Sequence, residues 1–188
     1  MAEWNKKREV MRNYDLLVTA YDAQYTEEQN YKMETALRSV HVEDDGYMLD
    51  LGCGTGLLFE HIGKKAKLLV GLDVSTKSLK RAKRRAKRFP NVTILRADAD
   101  LTPFPNEIFD AVFAITLLQN MPNPILTLKE MRRISKHHAF IAVTGLKKDF
   151  ILDDFARLLN EADLRVFVME TNNRLKGHVA VCRRIHQS

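Results

Sequence analysis

The chain alternates short apolar runs with segments in which apolar residues recur every three or four positions. Short apolar runs predict β-strands, and the three-to-four spacing predicts amphipathic helices. We expect strands at residues 47–51, 67–72, 92–96, 110–117, 139–144, 165–169 and 178–184. We expect helices at residues 3–40, 57–65, 76–88, 123–134 and 150–161. Strand and helix therefore alternate regularly from residue 47 onward.

This alternation predicts the fold class. Strand–helix–strand units form parallel strands joined by helical crossovers. We therefore predict a single Rossmann-like, doubly wound α/β sheet of seven strands with helices on both faces. Residues 171–177 are too few for a crossover helix, so the last strand is expected to be antiparallel. We assign residues 1–46 to an N-terminal helical cap or lid, and residues 47–188 to one compact unit.

Length and composition narrow the class of protein. A chain of 188 residues with 45% hydrophobic residues is large enough for one domain with a real core. Its longest uncharged apolar run, residues 111–118, is far shorter than the roughly 20 residues of a membrane span. Residues 1–8 do not resemble a secretory signal. Cys53 and Cys182 suggest neither a disulfide framework nor a metal site. We therefore expect a cytoplasmic protein without a metal or a membrane partner.

The positive charge is concentrated in one predicted helix. The whole chain carries +6, and residues 77–88 contain eight Lys and Arg residues and no acid. The remaining chain therefore sums to 6 − 8 = −2. A charge run is usually a solvated helix face, but like charges one turn apart repel each other unless a partner neutralises them. An RNA backbone is such a partner.

A glycine-rich loop follows the first predicted strand. Glycines at 52, 54 and 56 differ from the dinucleotide-binding spacing, which would need a glycine where Leu57 stands. The second strand ends in Asp73, 23 residues after Asp50. An acid at that edge of the sheet can accept both hydroxyls of a ribose. Alternatively, Asp73 caps the following helix, although Ser75 can do that instead.

The loop, read as Asp50-Leu51-Gly52-Cys53-Gly54-Thr55-Gly56, resembles motif I of the class I S-adenosylmethionine-dependent methyltransferases. Residues 104–113 and 118–124 resemble the fourth-strand region of the ubiquinone/menaquinone-type branch. The resemblance as a whole spans about residues 14–184. It implies S-adenosylmethionine as the cofactor and residues 47–188 as the catalytic domain. Asp98 matches the acid that binds adenine in that family, although acids are also common turn residues. The residues implied at the cofactor are Tyr21, Asp50, Gly52, Cys53, Gly54, Gly56, Asp73, Val74, Asp98, Ala99 and Thr116.

The chain departs from that branch where the acceptor is expected. Gln119 and Asn120 replace two histidines, and His137-His138 replaces a Gly-Gly pair and is expected to form a turn. Gln119 and Asn120 can orient a nitrogen nucleophile by hydrogen bonds, or they are simply polar loop residues. No cysteine lies where carbon-5 methylation of a pyrimidine needs one, so nitrogen is favoured by elimination.

These observations lead to one preferred function and two alternatives. The preferred function is methylation of a base nitrogen in ribosomal or transfer RNA. Its phosphates would contact Arg81, Arg84, Arg85 and Arg88. The alternatives are a small-molecule methyltransferase and a non-catalytic partner subunit. No separate RNA-binding module is present, so a small activating protein is left open as a partner.

Overall fold

A computed structural model describes the backbone of residues 2–41 and 45–185, and the side chains of residues 4–12, 26–41 and 45–185. The helices are α1 (Ala2–Leu37), α2 (Phe59–Ile62), α3 (Thr76–Ala86), α4 (Pro124–Ile134) and α5 (Leu152–Glu161). The strands are β1 (Tyr47–Leu51), β2 (Leu68–Asp73), β3 (Val92–Arg96), β4 (Phe109–Ala114), β5 (Ser135–Leu146), β6 (Leu164–Glu170) and β7 (Gly177–Arg184). A short 3-10 turn, Leu118–Asn120, follows β4.

The seven strands form one sheet in the order β3-β2-β1-β4-β5-β7-β6. Neighbouring strands from β3 to β5 pair in parallel. Strand β7 is antiparallel to both of its neighbours, β5 and β6. The predicted fold class is therefore confirmed, including the reversed last strand.

Helices cover both faces of the sheet, and each face has its own core. Leu128 and Met131 of α4 pack with Phe155 of α5 on one face. Phe59 of α2 and Leu79 of α3 pack on the other. Helix α1 lies on this second face and contacts α3, β5 and β7. The sheet is thus doubly wound, because each face buries an amphipathic helical layer.

Local sequence explains where α3 and α4 begin. The Ser75 hydroxyl accepts the Ser78 N–H at 3.1 Å, which makes Ser75 the N-cap of α3. Pro124 opens α4, where its missing N–H is not needed. Strand β5 begins at Ser135 and includes His137 and His138. The expected turn at these histidines is therefore wrong, because β5 follows α4 directly with no loop between them.

Candidate active site

A cavity of about 150 Å³ opens at the carboxyl ends of β1 to β4, beneath helix α1. Ligands of open α/β sheets bind at this edge. The cavity combines side chains from the loops after all four strands with side chains from α1. Its walls contain Lys7, Val10, Met11, Gln29, Met33, Gly52, Cys53, Gly54, Thr55, Leu72, Asp73, Val74, Ser75, Ser78, Ala97, Asp98, Ala99, Ile115, Thr116, Leu117, Asn120 and Met121.

The glycine loop brings main chain against the cavity. Gly52, Gly54 and Gly56 have φ of 76°, 53° and 80°, a region that side-chain-bearing residues rarely adopt. No atom lies within 4 Å of where a Cβ of Gly54 would stand, so its backbone faces open space. A Cβ on Gly56 would lie 2.4 Å from the Phe59 ring, so this glycine permits close packing below the loop. Gly56 does not line the cavity.

The carboxylate of Asp73 is fixed by two main-chain hydrogen bonds. Its Oδ2 accepts the Gly54 N–H at 2.9 Å, and its Oδ1 accepts the Ser75 N–H at 2.8 Å. Because Ser75 caps α3, the capping role considered for Asp73 belongs to Ser75. Asp73 therefore ties the glycine loop to the end of β2 and presents a carboxylate in the cavity wall.

Asp50 and Cys53 are buried in the glycine-loop region. Burial and then the nearby charge of Asp73 raise the pKa of Asp50 to about 8. Burial, followed by Asp50 and Asp73, raises the pKa of the Cys53 thiol well above its usual value. Asp50 is only 3% exposed and lies outside the cavity lining, whereas Cys53 is part of it. A raised pKa makes Cys53 a poor nucleophile.

Asp98 meets a lysine from α1 that the sequence pattern does not single out. The Lys7 ammonium lies 2.7 and 2.8 Å from the two Asp98 oxygens and 2.5 Å from Asp100. Burial lowers the pKa of Lys7, but its hydrogen bonds to Asp100 and Asp98 outweigh that and raise it. Asp100 also accepts the Thr127 hydroxyl at 2.5 Å. The start of α1, the loop after β3 and helix α4 are therefore linked beside the cavity.

Thr116 lies at the end of β4 and connects most polar groups of the acceptor region. Its carbonyl accepts Gln119 Nε2 at 2.6 Å and Asn120 Nδ2 at 3.0 Å. Its hydroxyl donates to Gln29 at 2.8 Å and accepts Lys32 Nζ at 3.3 Å. Asn120 lines the cavity and Gln119 does not. Gln119 Oε1 is buried without a hydrogen-bond partner.

Gln29 and Lys32 were missed by sequence reasoning because they lie 87 and 84 residues from Thr116. No local motif connects such distant positions. Of the remaining expected residues, Val74 and Ala99 line the cavity. The side chain of Tyr21 lies outside the described residues.

The four arginines expected at RNA line one open groove along α3 and the residues that directly follow it. Arg85 donates to the Thr55 carbonyl at 2.5 Å and pairs with Glu60 at 3.5 Å. Arg88 also pairs with Glu60. Because Thr55 is in the cavity wall, Arg85 connects the lining of this groove to the glycine-loop side of the cavity. Arg85 thus already has contacts within the protein, whereas Arg84 is exposed.

The described residues contain no cluster of acidic, histidine and cysteine side chains that could hold a metal ion. In the same part of the chain, no helix is long and apolar enough to cross a membrane.

The comparisons with known proteins agree with this geometry. A methyltransferase domain family matches residues 49–143, and the chain belongs to that family. The chain is 28% identical over 120 residues to a demethylmenaquinone methyltransferase of Tropheryma whipplei, covering 61% of this chain and 49% of that protein. It is 27% identical over 146 residues to a malonyl-[acyl-carrier protein] O-methyltransferase of Marinomonas, covering 76% and 53%. The chain thus spans about half the length of these curated relatives.

Solved structures share the fold at low identity. A putative methyltransferase of Haloferax volcanii, in complex with the activator Trm112, has a TM-score of 0.78 at 17% identity, covering 92% of this chain and 98% of that one. A SAM-dependent methyltransferase of Aquifex aeolicus has a TM-score of 0.71 at 19% identity, covering 81% and 89%. The class is that of the class I S-adenosylmethionine-dependent methyltransferases, and the cofactor is S-adenosylmethionine.

The walls of the cavity fit this cofactor chemically. The open space beside Gly54 lets a ligand approach the main chain without a side chain between them. The fixed carboxylate of Asp73 suits ribose hydroxyls, which donate well to charged acceptors. Val74 and Ala99 offer apolar contact for a base, and Asp98 lies beside them in the same cavity wall.

Proposed function

We propose that this chain is an S-adenosylmethionine-dependent methyltransferase that methylates a base nitrogen in structural RNA. The observation that supports an RNA substrate is the groove lined by Arg81, Arg84, Arg85 and Arg88. Guanidinium groups bind phosphate through paired, charge-assisted hydrogen bonds. Arg85 of this groove contacts Thr55 in the cavity wall, so a bound backbone would run beside the active site.

The cofactor side of the cavity holds its ligand through main chain and fixed acids. We propose that the loop at Gly52, Cys53 and Gly54, together with Asp73 and Val74, holds the ribose and methionine portion. Asp98 and Ala99 hold the adenine. S-adenosylmethionine supplies an activated methyl group with an uncharged sulfur leaving group, so catalysis depends mainly on orienting the nucleophile.

The acceptor side orients that nucleophile. Asn120 lines the cavity and is anchored by its amide to the Thr116 carbonyl, which holds the side chain in one direction. We propose that Asn120 contacts the acceptor base and that Gln119 supports the same turn from behind. A base nitrogen that carries a hydrogen takes the methyl group through its lone pair and then loses that hydrogen as a proton to water. The neutral amide of Asn120 provides the orientation that this nitrogen needs.

Helix α1 acts as the lid of this site in our proposal. Residues 1–46 form the cap and residues 47–188 the catalytic unit. Lys7 reaches Asp98 and Asp100 at one end of α1, and Gln29 reaches Thr116 near the other. A lid that touches both sides of the cavity excludes water from the reacting groups.

The substrate is tested by supplying labelled cofactor to total RNA and, separately, to a metabolite fraction, both from a deletion strain. We expect label in RNA, assigned by nucleoside mass spectrometry to a base nitrogen. Asp73→Ala is the weakened control, assayed at limiting cofactor, since it should weaken cofactor binding by about tenfold or more. The assay is run with and without a Trm112-type partner, because the Haloferax volcanii neighbour is bound to one. Label in the metabolite fraction alone would overturn the RNA proposal.

The arginine groove is tested by RNA binding over a salt series. Each phosphate contact contributes roughly 0.7–0.9 to the slope of log affinity against log salt. Replacing all four arginines by glutamine should lower that slope by about two to three. Cofactor affinity is measured beside it, because Arg85 also donates to the Thr55 carbonyl in the cavity wall. Glu60→Gln is the matched opposite change: it removes the acid that competes for Arg85 and Arg88, and should raise RNA affinity. Identical salt slopes for wild type and the quadruple variant would mean that the groove binds no RNA.

A second candidate is a small-molecule acceptor. The cavity walls next to Thr116 are apolar, with Met33, Ile115, Leu117 and Met121. The two curated relatives described above are named for a quinone and for an acyl-carrier-bound acid. The metabolite arm of the labelling experiment detects this activity directly.

A further inference from the structure

Thr116 has a backbone conformation that its side chain disfavours. Its φ is 62°, whereas β-branched residues almost never adopt positive φ. Such strain persists only where the surrounding structure enforces it, and it concentrates at functional sites. Thr116 lines the cavity at the end of β4, where the acceptor is expected.

Every polar group of Thr116 is bonded. Its N–H donates to Thr144 Oγ1 at 2.7 Å. Its carbonyl accepts Gln119 Nε2 and Asn120 Nδ2. Its hydroxyl bridges Gln29 and Lys32 of α1. The first two groups connect the turn to its own sheet and loop, and the hydroxyl alone connects it to the lid helix.

Lys32 has no exposed surface. Lysine is almost never fully buried unless it is paired, because taking an ammonium out of water is costly. Here Glu28, one turn earlier on α1, lies 2.8 Å from the Lys32 ammonium. Glu28 also lies 3.6 Å from Lys176 in the segment between β6 and β7. The charge is thus neutralised within α1, and the ammonium is directed to the Thr116 hydroxyl.

We infer that Lys32 is a positioning residue for methyl transfer: through the Thr116 hydroxyl it holds the strained turn that orients the amide of Asn120. Lys32 does not line the cavity, so in this inference it acts through Thr116. Its effect on turnover rests on the proposed methyltransferase activity, whereas its effect on the Asn120 amide does not. The lid helix is then part of the device that aligns the acceptor.

The first test is a double-mutant cycle on turnover with Lys32→Met and Thr116→Val. Each change removes one partner of the same hydrogen bond and keeps the volume similar. We expect each variant to lower kcat about tenfold, and the cofactor affinity of Lys32→Met, whose residue does not line the cavity, to stay within about threefold of wild type. If Lys32 acts through Thr116, the kcat of the double variant should be no lower than the kcat of the less active single variant. Losses that multiply in the double variant would overturn the inference.

The second test needs no acceptor. The side-chain amide signals of Asn120 are followed by NMR in wild type and Lys32→Met. We expect the Asn120 signals to shift and broaden as its bond to Thr116 loosens. Asn91 is the matched control, because its amide donates to Gly63 and Ala66 carbonyls at 2.8 and 2.5 Å, away from the cavity. Unchanged signals of Asn120 would overturn the inference.

A third variant guards against misfolding. Glu28→Gln combined with Lys32→Met removes both charges and leaves no unpaired charge in the buried pair, and Lys176, which also lies near Glu28, is 71% exposed. It should melt cooperatively and show the same change at Asn120 as Lys32→Met. If wild type methylates no acceptor but the Asn120 amide responds as expected, the proposed function fails and this inference stands. If wild type is active and both Lys32 variants keep full turnover, the proposed function stands and this inference fails.

Discussion

The two sides of the cavity are built in different ways. On the cofactor side, Asp73 holds Gly54, a residue only 19 positions away. On the acceptor side, Thr116 is held by Gln29 and Lys32, which are 87 and 84 positions away. The first side depends on backbone angles that only glycine adopts easily. The second depends on where a separate helix packs, so a shared fold fixes the cofactor far more tightly than the acceptor.

The largest expected effect tests the cofactor side. Gly56→Ala places a Cβ 2.4 Å from the Phe59 ring at a φ of 80°. Overpacking and the left-handed backbone together should destabilise the fold by about 2–5 kcal/mol and abolish cofactor binding. Urea unfolding and calorimetry with S-adenosylhomocysteine measure both effects.

Gly54→Ala is the matched control for that change. Its φ is 53°, but a Cβ there meets no atom within 4 Å. We expect only the backbone cost, about 1–2 kcal/mol. Equal losses in the two variants would contradict the role of Phe59 packing below the loop.

A pH series gives the next largest effect and again concerns the cofactor side. The pKa of Asp50 is raised to about 8, first by burial and then by Asp73. Between the unfolded value near 4 and the folded value, the folded state binds the extra proton, so stability falls as the pH rises. Relative to Asp50→Asn, wild type should lose about 2 kcal/mol between pH 6 and 7.5. A constant difference across that range would show that Asp50 is already ionised in the folded state.

The smallest expected effect is on turnover in variants of the acceptor side, and it tests whether the two sides of the cavity act separately. Asn120→Ala should lower turnover by about tenfold while cofactor affinity stays within about threefold. Gln119→Ala should have a weaker effect on turnover, because Gln119 lies outside the cavity lining. If cofactor affinity falls together with turnover, the two sides of the cavity are not separate, and Asn120 supports the pocket as a whole.

The fold could be predicted well because its pattern is local. Strands β1 and β3 have the predicted bounds, and the reversed β7 follows from the short connection before it. The predicted turn at His137 and His138, where the related branch has a Gly-Gly pair, is wrong because both residues belong to β5. Both histidines are exposed on a strand that continues straight from α4. An exposed strand end has the same polarity as a turn.

The site was predictable only where a motif constrains it. Glycine spacing singles out Gly54, the end of the second strand singles out Asp73, and the family resemblance singles out Asp98. All three line one cavity. Lys7 and Lys32 are two among many charged residues in α1, and no periodicity separates them from solvent-facing lysines. Composition likewise cannot distinguish one arginine of α3 from another. In the structure, Arg85 contacts Thr55 whereas Arg84 is exposed. Tertiary packing decides these roles.

The position of β7 has a consequence for the order in which the protein is completed. Strand β7 lies between β5 and β6, and within the described residues β6 pairs with β7 alone. As the ribosome releases the chain, β6 emerges before β7, the strand it needs. Helix α1 also packs on β7. It is therefore synthesised early but cannot complete its packing until β7 has been released. We therefore expect a nascent chain to form the cofactor-binding ends of β1, β2 and β3 before it can align an acceptor.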